Sequence, residues 1–364
     1  MSFKDLFKKS VSSFLKKILA VNEFNDFYIG YPKRILVIRQ HNQFGDQLAG
    51  ISVLRAIKER FPHSNLTLIA SPENYYAVLK NEFIDNLFVF DKKKIWEPKY
   101  FLKLRRIIKQ NYDLAIVPAT VAVSSTSCIL AGFSNAKIKI GPRILNGVDN
   151  PYKYIFHYQI ALDWRKHPDT HVSDFIQEII RPFGISTKKF NASIIFDKDD
   201  LAYAERFIEF LGAAKNKLII GFHMGAGKPG NRWPIEKFIE LIRAIKNNFE
   251  LLFYITGSKA DKYEIEYIQN YFGNSCGYFI DKRIPQLTAL ISISSFFITN
   301  DTGVMHVAGA TSTPQISIFG PTNPFNWAPI GETKYFIKKS DLIDDISVED
   351  VYDLFKYVMR KKKN

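Results

Sequence analysis

The 364-residue chain has only two cysteines, Cys128 and Cys276, far apart and outside any CxxC pair. That excludes a disulfide scaffold or a cysteine-rich zinc site and fits a reducing compartment. No apolar run approaches the ~20 residues that span a bilayer. The N-terminus has lysines but lacks the uninterrupted apolar core of a secretory signal. His41, His63, His167 and His171 are scattered without metal-ligand spacing, so no metal is expected. Acidic residues are outnumbered, 36 against 50 basic, leaving a net charge of +14. With 46% hydrophobic and 24% charged residues, the composition is globular and excludes overall disorder. A cytoplasmic protein of two domains, at about 100–200 residues each, is the expectation.

The positive balance favours anionic partners. No helix-turn-helix, zinc-finger or RRM signature is present, so nucleic acid is not expected among them. In the extension 1–33, Phe3, Leu6, Phe7, Val11, Phe14, Ile18 and Leu19 recur at i, i+3/i+4 spacing. Lys4, Lys8, Lys9, Lys16 and Lys17 fill the gaps. A helix of this pattern has one apolar and one cationic face, suited to an anionic membrane surface or to packing on its own domain.

From Arg34 onward, short apolar runs (35–39, 66–70, 87–90, 114–118) alternate with helical periods such as 101–110. The polar loop 40–45 leads into a helix carrying Leu48, Ile51, Leu54, Ala56 and Ile57. After a less regular stretch near 142–198, a second series follows with strands at 218–222, 251–256, 296–300 and 315–320 and a helix at 234–249. Two such series predict an α/β protein of two doubly wound domains facing across a cleft. The expected bounds are 34–185 and 186–345, with a C-terminal helix and basic tail at 346–364 in which Ser347 is the N-cap.

Three segments carry candidate chemistry. HMGAGKPGNRWP (223–234) leaves a strand and enters a helix, with Gly225, Gly227 and Gly230, Lys228 and Arg232. Glycines let backbone N–H groups approach an anion, and helix N-termini favour negative charge, so phosphate binding competes with a plain Gly-rich turn. It matches neither a Walker A loop nor GxGxxG. NDTGVMHVAGA (300–310) places Asp301, Thr302 and Gly303 at a strand's carboxyl end. Ligands bind there in open α/β sheets, although Asp301 or Thr302 also suits a helix cap and His306 a buried core position. QFGDQLAG (43–50) puts Asp46 at a strand-to-helix junction, as general base or as N-cap.

In order and spacing, ILVIRQHNQFGDQLAGISVLRAIKERFP, GFHMGAGKPGNRWPIEKF and ITNDTGVMHVAGATSTPQISIFGPTNP resemble glycosyltransferase family 9, the bacterial heptosyltransferases of lipopolysaccharide core assembly. The resemblance runs from about Arg34 to the C-terminus. It implies a GT-B fold with an N-terminal acceptor-binding and a C-terminal donor-binding domain. It also implies a nucleotide-sugar donor, typically ADP-heptose, no cofactor, and inversion at the anomeric carbon without a metal, onto a membrane glycolipid. By motif, Asp46 looks like the general base, with Gly45 and Gln47 on the acceptor side. His223, Gly225, Gly227, Lys228 and Arg232 look like the diphosphate site, and Asp301, Thr302, Gly303 and His306 like donor contacts. Asn231 stands where the family commonly has lysine, so either Lys228 or Arg232 supplies the charge. The competing readings are transfer from a UDP- or GDP-linked sugar, a sugar-nucleotide epimerase that needs no acceptor, and a binding protein without turnover.

Overall fold

The computed structural model describes residues 13–40, 43–212 and 217–361. Two compact units divide the chain, Met1–Phe190 and Asn191–Asn364. The division falls after Phe190 rather than 185 because Gln177 hydrogen-bonds the Thr187 backbone in both directions and Arg55 donates to the Lys189 carbonyl.

The first unit contains β1 (Arg34–Arg39), β2 (Asn65–Ala70), β3 (Asn86–Val89), β4 (Leu114–Ile116), β5 (Ile138–Leu145), β6 (Val148–Asp149) and β7 (Tyr158–Leu162). Strands pair in parallel in the order β3-β2-β1-β4-β5, with β7 parallel to β5 beyond it and short β6 folding back antiparallel. In β1, Ile35 to Ile38 are almost wholly buried, as a strand covered on both faces requires. Full burial of each such side chain contributes about 1.5–3 kcal/mol. The helices are α1 (described over 13–19), α2 (Phe44–Ala49), α3 (Ile51–Arg60), α4 (Pro98–Ile108), α5 (Ser125–Phe133) and α6 (Val172–Phe175).

The helix expected after β1 is two helices, interrupted at Gly50. A Cβ there would lie 3.3 Å from Arg39 Cδ and Nε, so the missing side chain gives the buried guanidinium its room. The 142–170 stretch contains strand structure that periodicity hid. Lys139, Pro142 and Arg143 interrupt the apolar run of β5, and its register with β7 shifts between Pro142 and Ile144.

The extension 1–33 is no separate body over its described part. Leu19 is buried in the core below α4 and α5, and the 21–28 segment bonds to Tyr154, His157 and Tyr158. The single apolar face expected for its helix is split, because Leu19 points inward while Phe14 and Ile18 are exposed. Phe3 to Val11 of that pattern lie outside the described residues.

The second unit contains α7 (Lys198–Phe210), β8 (Leu218–His223), α8 (Ile235–Lys246), β9 (Leu251–Gly257), α9 (Lys262–Phe272), β10 (Gly277–Ile280), α10 (Ile284–Ser292), β11 (Phe296–Asn300), α11 (Gly303–Gly309), β12 (Gln315–Ile318), α12 (Pro324–Trp327), β13 (Lys334–Ile337) and α13 (Val348–Lys361). Its sheet is wholly parallel in the order β10-β9-β8-β11-β12-β13. Ser347 and Asp350 cap α13 reciprocally. Val351, Phe355 and Val358 of α13 join the same core as α8, so the 346–364 helix is part of this unit. Among the described residues, no helix is long and apolar enough to cross a membrane.

Candidate active site

In each sheet the first strand pairs with neighbours whose connections leave in opposite directions, and ligands bind at the carboxyl side of such a switch point. In the first unit it lies between β1 and β4, and Asp46 sits there in the first turn of α2. The N-cap of α2 is Gln43, so Asp46 is not the cap. Its carboxylate turns inward instead. Oδ1 accepts a 2.8 Å hydrogen bond from Thr120 Oγ1 and lies 3.6 Å from Arg39 Nη2. That Nη2 also donates to the Asp46 carbonyl at 2.9 Å. Thr120 is fixed in turn by Trp164, whose indole N–H donates to its carbonyl at 2.9 Å. Burial pushes the Arg39 pKa down and the facing Asp46 charge pushes it up. An arginine stays protonated in such a place, so Asp46 faces a permanent cation.

Gly45 and Gln47 are buried beside Asp46. Among the described residues, Asp46 Oδ2, Gln47 Oε1, Gln40 Nε2 and Arg39 Nε and Nη1 are buried without hydrogen-bond partners. Native interiors rarely leave polar atoms unmatched, and five together mark a place for a polar ligand or ordered water.

The switch point of the second unit lies between β8 and β11. Asn300, at the end of β11, donates to the Met224 carbonyl at 2.6 Å and accepts from the Trp233 N–H at 3.2 Å, clamping both ends of the 224–233 loop. Within it, Asn231 Nδ2 donates to Asp301 Oδ2 at 2.8 Å. The 319–323 turn closes from the other side. A Cβ on Gly320 would lie 2.5 Å from the Gly230 carbonyl, so that contact requires glycine. Burial pushes the Asp301 pKa up, against a hydrogen bond from Thr322 and the charge of Lys228.

The expected phosphate residues divide into two groups. His223 is buried, with Nδ1 at 3.1 Å from the Thr256 carbonyl and 3.0 Å from its hydroxyl, tying β8 to β9. Burial pushes its pKa down against the charge of Asp261, which favours the neutral ring. Arg232 is engaged as well. Nε donates to the Ala226 carbonyl and Nη1 to Glu264 Oε1, both at 2.8 Å. Gly225 is needed for packing, since a Cβ there would lie 1.9 Å from Asp261 Oδ1. Gly227 and Lys228 differ, for both are exposed, and a Cβ on Gly227 would meet nothing within 4 Å. Of the two cations weighed against Asn231, Lys228 is the solvent-facing one and Arg232 braces the loop. Thr302 is the N-cap of α11, with no side-chain capping bond; Gly303 opens that helix and His306 is half-buried on it.

Sequence reasoning passed over Arg39, Thr120, the bracing of Arg232 by Glu264 and the clamping role of Asn300. An arginine ending an apolar strand and an asparagine ending a buried one were local signals for two of them. Thr120 and Glu264 meet their partners over long sequence separations and gave none.

The model of Glycosyltransferase family 9 (heptosyltransferase) matches residues 101–349. Over 334 residues the chain is 30% identical to Lipooligosaccharide heptosyltransferase 2 of Haemophilus ducreyi, covering 82% of this chain and 86% of that protein. The crystal structure of a glycosyl transferase family 9 protein from Veillonella parvula superposes with a TM-score of 0.78 at 20% identity, over 90% of this chain and 97% of that one. The E. coli ADP-heptose lps heptosyltransferase II gives 0.73 at 19% identity, over 91% and 100%. The fold is therefore GT-B, and with two parallel-sheet units and this family match the chain belongs to glycosyltransferase family 9, the heptosyltransferases.

Proposed function

We propose that this glycosyltransferase moves a heptose from ADP-heptose onto a hydroxyl of a lipopolysaccharide-core-type glycolipid, inverting the anomeric centre without a metal. The observation that carries the reading is the Asp46 carboxylate. Oδ1 is held by Thr120 and faces Arg39, while Oδ2 has no partner among the described residues. A base so oriented takes the acceptor hydroxyl's proton as the oxygen attacks the anomeric carbon. The bond from that carbon to the diphosphate breaks in the same displacement. The products are the glycoside, ADP and the proton on Asp46.

The leaving diphosphate gathers negative charge. Lys228 and the open backbone at Gly227 supply a cation and N–H donors, doing electrostatically what a metal does elsewhere. In this reading the paired Asp301 and Asn231 take hydroxyls of the donor sugar. The ADP-linked donor is supported by the similarity to the E. coli ADP-heptose lps heptosyltransferase II. Residues 1–20 bring the enzyme to the inner membrane surface, where a glycolipid acceptor resides, so the location is cytoplasmic and peripheral.

The test is a thermal-shift panel of ADP, UDP, GDP and CMP, followed by turnover with ADP-heptose in EDTA. Ligand at 100 times its Kd stabilises by about 2.7 kcal/mol, a readable shift. ADP and ADP-heptose alone should raise the midpoint, with a product inverted relative to the donor. A larger response to UDP or GDP would overturn the donor, and loss of turnover in EDTA restored by Mg²⁺ would overturn the metal-free account.

A further inference from the structure

A second amphipathic surface lies far in sequence from the N-terminus. Between Lys92 and Lys109 the chain carries six lysines and two arginines against one acid, Glu97, so 8 − 1 = +7, half of the chain's net +14. Alongside this charge stand large apolar side chains in solvent. Trp96 is 90% exposed, Leu102 51% and Phe101 48%. A soluble surface that leaves a tryptophan in water beside such charge marks a site of interaction.

The geometry of α4 accounts for the arrangement. Leu104 and Ile108, one turn apart, are buried in the core of the first unit. On the opposite side of the helix, Leu102 and Arg106 are likewise one turn apart and exposed, with Lys99 and Arg105 beside them. The start of α4 is fixed. Tyr100 donates to the Val89 carbonyl at 3.0 Å and accepts from the Asp91 N–H at 2.6 Å. Among the described residues, Lys92, Lys93, Lys94, Lys99, Arg105 and Arg106 pair with no carboxylate. Internal ion pairs therefore do not explain the charge.

The same layer of the unit holds the exposed half of α1. Both helices lie against α5: Leu19 of α1 packs on Gly132, and the N–H of Asn135, just past α5, donates to the Ile108 carbonyl of α4. Phe14 and Ile18 of α1, exposed at 63% and 56%, face away from that core with Lys16 and Lys17.

We infer that the α4 surface docks on an anionic lipid bilayer, with Trp96 and Leu102 entering the headgroup region and the flanking cations meeting lipid phosphates. An amphipathic tryptophan suits the interface, and cations close to anionic lipid add binding that salt screens. Charge complementarity selects the occupant, since a zwitterionic surface would leave the +7 segment unmatched. The surface extends the membrane contact proposed for residues 1–20 and is independent of the donor chemistry.

The experiment is sedimentation of the full chain with vesicles of phosphatidylcholine alone and with about one third phosphatidylglycerol. Binding to the anionic vesicles only, weakened by salt, is expected. The L102Q/R105Q/R106Q variant should partition about tenfold less or lower, since two cations near the surface are removed. Its thermal midpoint, and the rise of that midpoint with ADP, should match the wild type. A Trp96→Phe variant should lose the emission blue shift, and the quenching by brominated acyl chains, that vesicles produce in the wild type. Equal partitioning of the triple variant, equal binding to neutral vesicles, or an undiminished blue shift in Trp96→Phe would each overturn the assignment. Displacement by RNA at lower concentration than by anionic vesicles would do the same. A wild type that binds vesicles but shows no midpoint rise with ADP would sink the donor reading and leave this one standing.

Discussion

Asn231 and Asp301 are joined by a 2.8 Å hydrogen bond between the loop that follows β8 and the end of β11, with an uncharged amide as the donor. A lysine at that position would neutralise the carboxylate; the amide orients it and leaves its charge in place. Asp301 therefore depends on Thr322 and Lys228 to offset its burial. Asn231→Asp keeps the shape and sets two carboxylates against each other beside the diphosphate site. At pH 8 both are ionised, and ADP-heptose should bind about tenfold or more weakly. As the pH falls, Asp301, whose pKa burial raises, is favoured to take a proton and restore a donor to the pair, so the gap to wild type should narrow. Calorimetry at pH 8 and at lower pH reads this, and a gap that ignores pH counts against it.

Asp46→Asn should reduce turnover by about 10²–10⁴-fold, the usual range for losing a general base. The thermal shift with ADP should not change, because the nucleotide is assigned to the other unit. Thr120→Val, which removes the hydrogen bond on Oδ1, should lower kcat by about tenfold with little change in donor KM. A wild-type rate in Asp46→Asn removes it from the mechanism.

The glycines of the 223–232 loop should separate by assay. Gly225→Ala drives a Cβ into the Asp261 carboxylate and should lower the melting midpoint by several degrees, about 2 kcal/mol of destabilisation. Gly227→Ala meets nothing, so its midpoint should hold while the affinity for ADP falls. The reverse pattern would mean that Gly225 and not Gly227 faces the ligand.

Lys334 gives the fold a pH dependence. Its ammonium donates to the Ala308 carbonyl at 2.9 Å and the Thr313 carbonyl at 2.6 Å, and burial pushes its pKa from 10.5 down to about 7. Between those values the unfolded chain holds a proton that the folded chain has released, so stability rises with pH across the window. Below pH 7 the full cost of burying the cation applies. Melting curves between pH 7 and pH 9 should climb in the wild type and flatten in Lys334→Met. Above that range the thiols of Cys128 and Cys276, pushed by burial from 9.0 up to about 12 and about 11, act in the opposite sense, and Tyr158, raised to about 12, joins them at still higher pH. An identical slope in both proteins would exclude Lys334 as its source.

The sequence made the strands of both sheets legible because buried parallel strands are continuous apolar runs, as 35–38 and 296–300 show. It left β5 to β7 unread, since a lysine, a proline and an arginine interrupt the first of them. Asp46 and Asp301 were visible through their positions at strand ends. Their pairings were not, because Thr120 is 74 residues from Asp46 and Asn231 is 70 from Asp301. Local pattern carries no information on which loops the sheet order will bring together. Arg232 shows the converse, a loop cation prominent in the motif whose charge is taken up by Glu264 of α9.

The chain between α1 and β1 crosses the first unit as a strap. Val21 and Phe24 bond to the backbone of Tyr154 and His157, Tyr158 donates to Asp26 and to the Tyr28 carbonyl, and Phe27 packs against Tyr158 and Phe183. The first of the sequence motifs that resemble the family begins at Ile35. A protein truncated at that point would strip the cover from Tyr158 and Phe183 and leave aromatic surface in water. The border of a sequence family and the border of the object that folds are different lines on this chain, and a workable truncation must follow the second.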